Sequence, residues 1–216
     1  MPRRRTPLLL KHYGTYLDSL DSAKFVADVS SSYHWATLER LAIYGDINCR
    51  RAAILALTFI GQYECNATMG HALRDPDRGV RMIAEDGICQ IWLRQGCPAT
   101  QSALRKLHYL NQAQRYDEVS DLAERLIDES PYIAETHYQL ANARFESEDY
   151  RGTLIAAAQA IELNPYHFAA LSKMGKSYLE LDQTILALGC FERALRLNPN
   201  REDYRIHISR LRRSSA

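Results

Sequence analysis

The stretch that decides the fold is FAALSKMGKSYLELDQTILALGCFERALRLNPNR, residues 168–201. Small and apolar side chains recur in it at helical spacing on both sides of a break at Asp182: Leu171, Met174, Gly175 and Tyr178 before it, and Ala187, Phe191 and Ala194 after it. Two amphipathic helices joined by a tight turn form an αα-hairpin. Gly175 and Ala187 are small enough to let the helices approach closely, and Phe191 fills the space beside them. Pro199 cannot continue the second helix and begins the next one.

Prolines show that this hairpin is one copy of a repeat. Pro131, Pro165 and Pro199 are evenly spaced along the chain, and a helical segment precedes each of them. The spacing corresponds to a period of about 34 residues, which is typical of stacked helical hairpins. In such a stack, each unit buries its apolar face against its neighbours. We therefore predict three hairpins within residues 100–201.

The segment after the last hairpin predicts one more helix, Asp203 to Arg213. Its apolar side chains are expected to cover the last hairpin: Tyr204, Ile206, Ile208 and Leu211. Its arginines are expected to face water: Arg205, Arg210, Arg212 and Arg213. A polar outer surface of this kind is what the terminal helix of a repeat array needs.

The unit 168–201 closely resembles the tetratricopeptide repeat (TPR) in its length, its Gly, its Tyr, its Ala-Phe-Ala stripe and its closing Pro. The unit 134–167 matches the family at Leu140, Ala141, Tyr150, Ala160 and Pro165, and the unit 100–133 matches at the turn 115–119 and at Pro131. The middle unit departs from the family pattern at His137, Arg144, Thr153 and Ala157, with Phe145 as a source of aromatic bulk beside Arg144. The resemblance implies an all-α fold, a right-handed α-solenoid of helical hairpins.

The N-terminal half carries a second, weaker repeat. A predicted helix over Asp46 to Ile60 recurs further along the chain as Asp77 to Trp92, with Asp, Arg and Ala at matching positions. The pattern Asp77-x-x-Val80-Arg81-x-x-Ala84 resembles HEAT-like repeats, and Arg50 and Arg51 are expected to bond neighbouring acids in the same way. Further helices are predicted over residues 22–31, 35–44 and 66–73.

These patterns divide the chain into four predicted segments. They are a tail and the start of the first helix over residues 1–20, HEAT-like helices over 21–99, three TPR-type hairpins over 100–201, and a capping helix and tail over 202–216. Residues 1 to 7 are expected to be disordered. Gly96-Cys97-Pro98 is the expected junction of the two halves, and because no long linker separates them, we expect the halves to pack together.

Composition and charge argue against several classes of protein. The chain has 27 basic and 26 acidic residues, a net charge of +1, whereas a dedicated nucleic-acid binder usually carries a basic excess. The run Leu8 to Leu10 is too short for a secretory signal, and no window is apolar enough for a membrane span. Five cysteines form no C-x-x-C pair, which favours free thiols in a reducing compartment. We therefore expect a cytoplasmic protein.

No sequence motif for catalysis or for cofactor binding is present. The chain lacks the glycine-rich phosphate loops, the H-E-x-x-H metal motif and the G-x-S-x-G nucleophile motif, and no two of its seven histidines stand three or four residues apart. We therefore expect no catalytic residue, no metal and no cofactor, and we interpret the protein as non-enzymatic. A long-range pair between Cys89 or Cys97 and a distant histidine would instead indicate a cysteine-dependent enzyme.

The TPR resemblance also implies a binding surface, because the first helices of stacked hairpins line a concave groove that takes a peptide or a partner helix. The family's groove positions correspond here to Tyr138, Asn142, Phe145 and Glu146 in the middle unit, to Ser172, Lys173, Lys176 and Glu180 in the last, and to Leu104, His108 and Asn111 in the first. The chaperone-binding branch clamps a C-terminal carboxylate with Lys and Asn. Asn142 and Lys173 occupy two such positions, whereas Tyr138 and Ala169 stand where that branch has Lys.

The predicted partner is thus another protein or a peptide, and the oligomeric state stays open. The alternative is nucleic-acid binding through residues 193–216, which carry seven arginines against Glu202 and Asp203. Phosphate contacts release counterions, so binding of that kind would weaken steeply with salt.

Overall fold

The computed structural model describes residues 7–214, and within that range every regular element is helical. This confirms the predicted all-α class. Residues 1–6, most of the segment predicted to be disordered, lie outside the described residues. The elements are α1 Leu8–Ser19, α2 Ser22–Ser32, α3 Trp35–Tyr44, α4 Ile47–Ile60, a 3-10 turn Tyr63–Cys65, α5 Asn66–Ala72, α6 Arg78–Trp92, α7 Pro98–Gln112, α8 Tyr116–Glu129, α9 Ala134–Glu146, α10 Tyr150–Leu163, α11 Phe168–Glu180, α12 Thr184–Leu197 and α13 Glu202–Ser214.

The chain divides into two compact units, one on each side of the peptide bond between Ile91 and Trp92. Trp92 ends α6 but packs within the C-terminal unit. Its indole stacks on the imidazole of His167 (ring centroids 4.2 Å apart) and contacts the ring of Phe168 (5.5 Å). The division therefore lies ahead of Gly96-Cys97-Pro98, the junction expected from the sequence.

The N-terminal unit begins with a complete helix where the sequence suggested a tail and the start of a helix. Leu9 of α1 is fully buried, and its N–H donates to the hydroxyl of Tyr33 (2.9 Å). The ring of Tyr16 contacts those of Phe25 and Phe59 (centroids 5.2 and 6.2 Å apart). Helix α1 therefore closes the core of this unit against α2 and α4.

Two arginine–aspartate pairs join helix α4 to the turn before α6. Arg50 donates through Nε and Nη2 to Asp75 (2.8 and 3.0 Å), and Arg51 donates in the same bidentate way to Asp77 (2.7 Å for both bonds). The prediction that these arginines bond neighbouring acids is confirmed. Asp77 also caps α6, because its carboxylate accepts the N–H of Val80 (2.9 Å). The HEAT-like assignment of this unit stays a prediction.

The Arg51–Asp77 pair predicts a pH-dependent contribution to stability. Hydrogen bonds from Arg51 and from the backbone of Val80 lower the pKa of Asp77 from 3.8 to about 2. Because this pKa is lower in the folded than in the unfolded chain, the contribution is present above pH ~4 and is lost as the pH falls toward 2. We expect the Arg51→Met variant to raise the pKa of Asp77 toward 3.8 in a carboxyl-carbon NMR titration. The same titration should be unchanged in Arg40→Met, which removes an exposed arginine, and an unchanged pKa in Arg51→Met would contradict the pairing.

In the C-terminal unit, α7 to α12 form three successive helical hairpins, and α13 packs on α12. The turns inside the hairpins share one backbone conformation, because Gln114, Glu148 and Asp182 have positive φ angles of 59°, 64° and 57°. These three positions are evenly spaced, so the backbone repeats with the same period as the prolines. The unit is therefore a short α-solenoid, as predicted.

The close approach of α11 and α12 depends on a glycine. A Cβ atom at Gly175 would lie 2.9 Å from the ring of Phe191, whose side chain is fully buried. The same ring stacks on the imidazole of His207 in α13 (centroids 4.5 Å apart). The sequence-based roles of Gly175 and Phe191 are confirmed.

The capping helix α13 covers the last hairpin with three of its four predicted apolar residues. Tyr204, Ile208 and Leu211 are buried, whereas Ile206 is 60% exposed. The prediction for Ile206 was wrong because residues four and three apart share a helix face, and position 206 lies on the opposite side. Arg205, Arg210, Arg212 and Arg213 are exposed, as predicted.

Candidate functional site

The first helices of the three hairpins, α7, α9 and α11, lie side by side in the C-terminal unit. They carry every residue that the TPR resemblance assigned to a groove. Helix α9 lies between the other two, so its side chains can bond both neighbours. Leu104 of α7 is fully buried and belongs to the core rather than to a binding surface.

One pocket joins α7 and α9, with a volume of about 220 Å³. Four of the predicted groove residues line it together: His108, Asn111, Tyr138 and Asn142. Two glutamines that the sequence reading did not single out complete the lining: Gln112 and Gln139. The pocket is therefore lined by four side-chain amides, one phenol and one imidazole.

The amides of this pocket are bonded to one another across the two helices. Asn142 donates through Nδ2 to Oδ1 of Asn111 (3.1 Å). Asn111 donates through Nδ2 to the backbone carbonyl of Gln139 (3.0 Å) and to its Oε1 (2.6 Å). At the rim, the amide of Gln112 lies 2.9 Å from Nε2 of His108. We call the pair Asn111 and Asn142 the groove amides.

A buried polar network continues from the groove amides into the protein. Gln139 donates through Nε2 to Oε1 of Glu135 (2.6 Å), and Nε2 of His167 lies 3.3 Å from Oε2 of the same carboxylate. Glu135, Gln139 and His167 are all buried. The ring of Tyr138 contacts that of His167 (centroids 4.6 Å apart). Tyr138, which lines the pocket, therefore contacts a member of the buried network. Sequence reasoning missed this network; its only sequence signal was the spacing of Glu135, Gln139 and Asn142 on one face of α9.

Two more of the predicted groove residues, Phe145 and Glu146, contact Lys173 of α11. Its amine bonds Glu146 (3.3 Å) and lies 4.3 Å from the ring centroid of Phe145. Burial lowers the pKa of Lys173, the carboxylate of Glu146 opposes that shift, and the charge of Lys176 adds to it. The amine of Lys173 is therefore held by contacts within the protein. Ser172 is also buried, whereas Lys176 is half-buried and Glu180 is exposed.

The alternative functions have weaker structural support. Arginines of the C-terminal stretch bond carboxylates of the same unit: Arg201 pairs with Asp203, Arg205 with Glu202, and Arg212 with Glu192. These pairs partly neutralise the positive charge that would otherwise attract phosphate.

The exposed Cys97 contacts a hydroxyl, because its Sγ lies 3.3 Å from Oγ1 of Thr100. Hydrogen bonds from Thr100 and from the first backbone N–H groups of α7 lower the pKa of this thiol. A cysteine nucleophile is ordinarily activated by an adjacent base such as an imidazole.

Residues 7–214 contain no group of three or more His, Cys, Asp or Glu side chains placed to hold a metal ion. Over the same range, no helix combines the length and the apolar character that crossing a bilayer demands.

Neither a family model nor a curated protein sequence matches the chain. Among solved structures, it is similar to the "First TPR of Spaghetti (RPAP3) bound to HSP90 peptide SRMEEVD", with 22% sequence identity and a TM-score of 0.50 over 52% of this chain and 90% of that chain. It is also similar to the "MamA RS-1 ArsTM double mutant", with 16% identity and a TM-score of 0.43 over 91% of this chain and 96% of that chain. The first likeness agrees with the helical hairpins described above. The chain is therefore a helical-repeat protein with a TPR-like fold.

Proposed function

We propose that this protein is a non-catalytic interaction scaffold, and that the surface of α7, α9 and α11 binds a peptide or a partner helix of another protein. The observation that carries the proposal is the shared pocket of His108, Asn111, Tyr138 and Asn142. The likeness to a TPR domain solved with an HSP90 peptide supports a protein partner.

The chemistry of the pocket suits a peptide. Tyr138 offers a flat, amphipathic ring at small cost in conformational entropy. The half-buried amide of Asn142 uses one N–H for Asn111, which leaves hydrogen-bonding capacity for a peptide group. Lys176, which is half-buried on the neighbouring helix α11, adds a positive charge. Affinities of such grooves are commonly micromolar, or about −8 kcal/mol.

The test compares the wild type with a Tyr138→Ala, Asn142→Ala, Lys176→Glu variant. Both proteins are used as bait against extract of the source cells, and the captured proteins are quantified by mass spectrometry. We expect the variant to lose its specific partners by about tenfold or more, because each lost anchor costs about 1 kcal/mol. A matched control, Arg151→Ala with Gln159→Ala, changes exposed residues of α10. Equal recovery by wild type and variant would refute the groove assignment.

A further inference from the structure

The hydrogen bonds between the groove amides and the buried network run in one direction. Asn142 donates to Asn111 (3.1 Å), Asn111 donates to Gln139 (2.6 Å), and Gln139 donates to Glu135 (2.6 Å). Each amide gives an N–H inward, and Asn111 and Gln139 each receive one from the groove side. The series therefore ends on a carboxylate, which accepts hydrogen bonds and donates none when ionised.

The buried end fixes this direction. Nδ1 of His167 accepts the backbone N–H of Ala170 (3.2 Å) at the start of α11, so the ring proton lies on Nε2 and points to Glu135 (3.3 Å). The carboxylate of Glu135 thus receives one donor from α11 and one from Gln139. If the Gln139 amide were reversed, its oxygen would face the carboxylate, which is repulsive in a buried site. Gln139 must therefore present its oxygen to Asn111.

The orientation of Gln139 fixes the orientation of the two amides nearer the groove surface. Asn111 spends both N–H groups on Gln139, so its oxygen must receive the N–H of Asn142. Asn142 is then left with its own oxygen and one N–H on a half-buried, planar amide. One acceptor and one donor on a single amide match the N–H and C=O of one residue in an extended chain. Hydrogen bonds in series polarise one another, which makes the outermost oxygen a stronger acceptor.

We propose that Asn142 reads the main chain of an extended internal peptide segment, and that Glu135, Gln139 and His167 are positioning residues that orient this amide. The inference rests on the proposed function and specifies its ligand. An internal segment fits better than a chain terminus because the pocket is lined by amides, a phenol and an imidazole. The nearby amine of Lys173 is already bonded to Glu146 (3.3 Å).

The probe is a peptide selected by the wild-type protein from a random library displayed as internal segments. The selected peptide is synthesised with blocked ends, with a free C-terminal carboxylate, and as a series with one backbone N–H methylated at a time. We expect one methylated position to weaken binding to the wild type by about tenfold, the loss expected for one buried hydrogen bond and its unpaired partner. The blocked and free-carboxylate peptides should bind with affinities within about twofold of each other.

The variants distinguish the residue that binds the peptide main chain from the residues that orient it. In Asn142→Ala, the methylation penalty should fall to about twofold or less, because the acceptor is gone. In Glu135→Gln and in Gln139→Met, which keep side-chain size, the penalty should fall to about threefold, because the amide of Asn142 is no longer held in one orientation. Loss of folding alone would weaken methylated and unmethylated peptides equally. Trp92 fluorescence checks folding, since its indole stacks on His167, and Gln159→Ala serves as an amide control outside the pocket.

Each result decides a different claim. If no peptide is enriched, this inference fails, whereas the proposed function fails only if wild type and variant also recover the same proteins as bait. Selected peptides that tolerate methylation at every position, require a free carboxylate, or keep their methylation penalty in Asn142→Ala overturn the main-chain reading. A penalty that stays near tenfold in both Glu135→Gln and Gln139→Met overturns the positioning role.

Discussion

Replacing Phe191 with alanine is expected to lower the free energy of unfolding of the C-terminal unit by about 3–5 kcal/mol. The side chain is fully buried, its ring stacks on the imidazole of His207 (centroids 4.5 Å apart), and the tip of the ring lies against Gly175. Alanine leaves a cavity that cannot collapse freely, because α12 also contacts both α11 and α13 elsewhere.

The measurement is urea unfolding followed by the fluorescence of Trp92, which packs inside the C-terminal unit. A Trp35→Phe background removes the other tryptophan, which is 39% exposed in the N-terminal unit. A loss below about 1 kcal/mol would show that the ring is not a core element, because even small deletions in a tight core cost that much.

A substitution at Gly175 tests the same contact between α11 and α12. An alanine methyl there would lie 2.9–3.1 Å from ring atoms of Phe191, so Gly175→Ala should destabilise the protein by about 1–3 kcal/mol through overpacking. In a Phe191→Leu background, the same change should be neutral or stabilising, because alanine favours the helix over glycine by about 1 kcal/mol. Gly189 in α12 is the matched control, since nothing lies within 4 Å of a Cβ built there. Equal effects of Gly175→Ala in the two backgrounds would contradict the contact.

The hairpins and the contact between Gly175 and Phe191 were predictable from the sequence, because each depends on a local sequence pattern. The fixed repeat period places three prolines and three hairpins without knowledge of the tertiary structure. The pairing of Gly175 with Phe191 follows in the same way, since a small residue on one helix and a large one on the next are a local complement. The start of the helix predicted over Asp46 to Ile60 is also local in origin, because the carboxylate of Asp46 accepts the N–H of Cys49 (2.8 Å) and caps α4.

The buried network could not be predicted, because it joins helices that are far apart in sequence and its members are polar. Glu135, Gln139 and His167 would ordinarily be assigned to solvent. Their burial becomes visible only once α7, α9 and α11 are placed side by side. Asn111 and Asn142 were singled out from the TPR resemblance, but their orientation depends on partners that the resemblance does not include. The placement of Asn111 and Asn142 on neighbouring helices could thus be predicted, whereas the bonds between them could not, and their role in a binding groove stays a prediction.

Helix α1 shows a different cause of failure. Only Leu8 to Leu10 form an apolar run, and the residue before the helix, Pro7, makes no side-chain cap. Much of the apolar surface of α1 comes from Tyr13 and Tyr16, which share a face with Leu9. Tyrosines at helical spacing are a weaker sequence pattern than leucines, so the segment was assigned in part to a tail.

In the N-terminal unit, replacing Arg50 with methionine is expected to lower the free energy of unfolding by about 2–4 kcal/mol, because it leaves a largely buried carboxylate without its cation. The side chains of Arg50 and Asp75 are 17% and 10% exposed, and their two hydrogen bonds measure 2.8 and 3.0 Å. Arg50 also donates to the backbone carbonyl of Gly45 (3.1 Å), so the guanidinium joins the end of α3 to the turn before α6.

The neighbouring pair supplies the control. Arg51 bonds Asp77 with the same bidentate geometry, but its side chain is 36% exposed. Water therefore replaces much of what is lost, and Arg51→Met should destabilise the unit far less than Arg50→Met does. Hydrogen exchange of the α4 amides under native conditions measures both variants within the N-terminal unit. The double variant Arg50→Met, Asp75→Asn should lose less stability than the sum of its single changes, because the unpaired charge is removed together with its partner. Equal losses in Arg50→Met and Arg51→Met would mean that burial does not set the strength of these pairs.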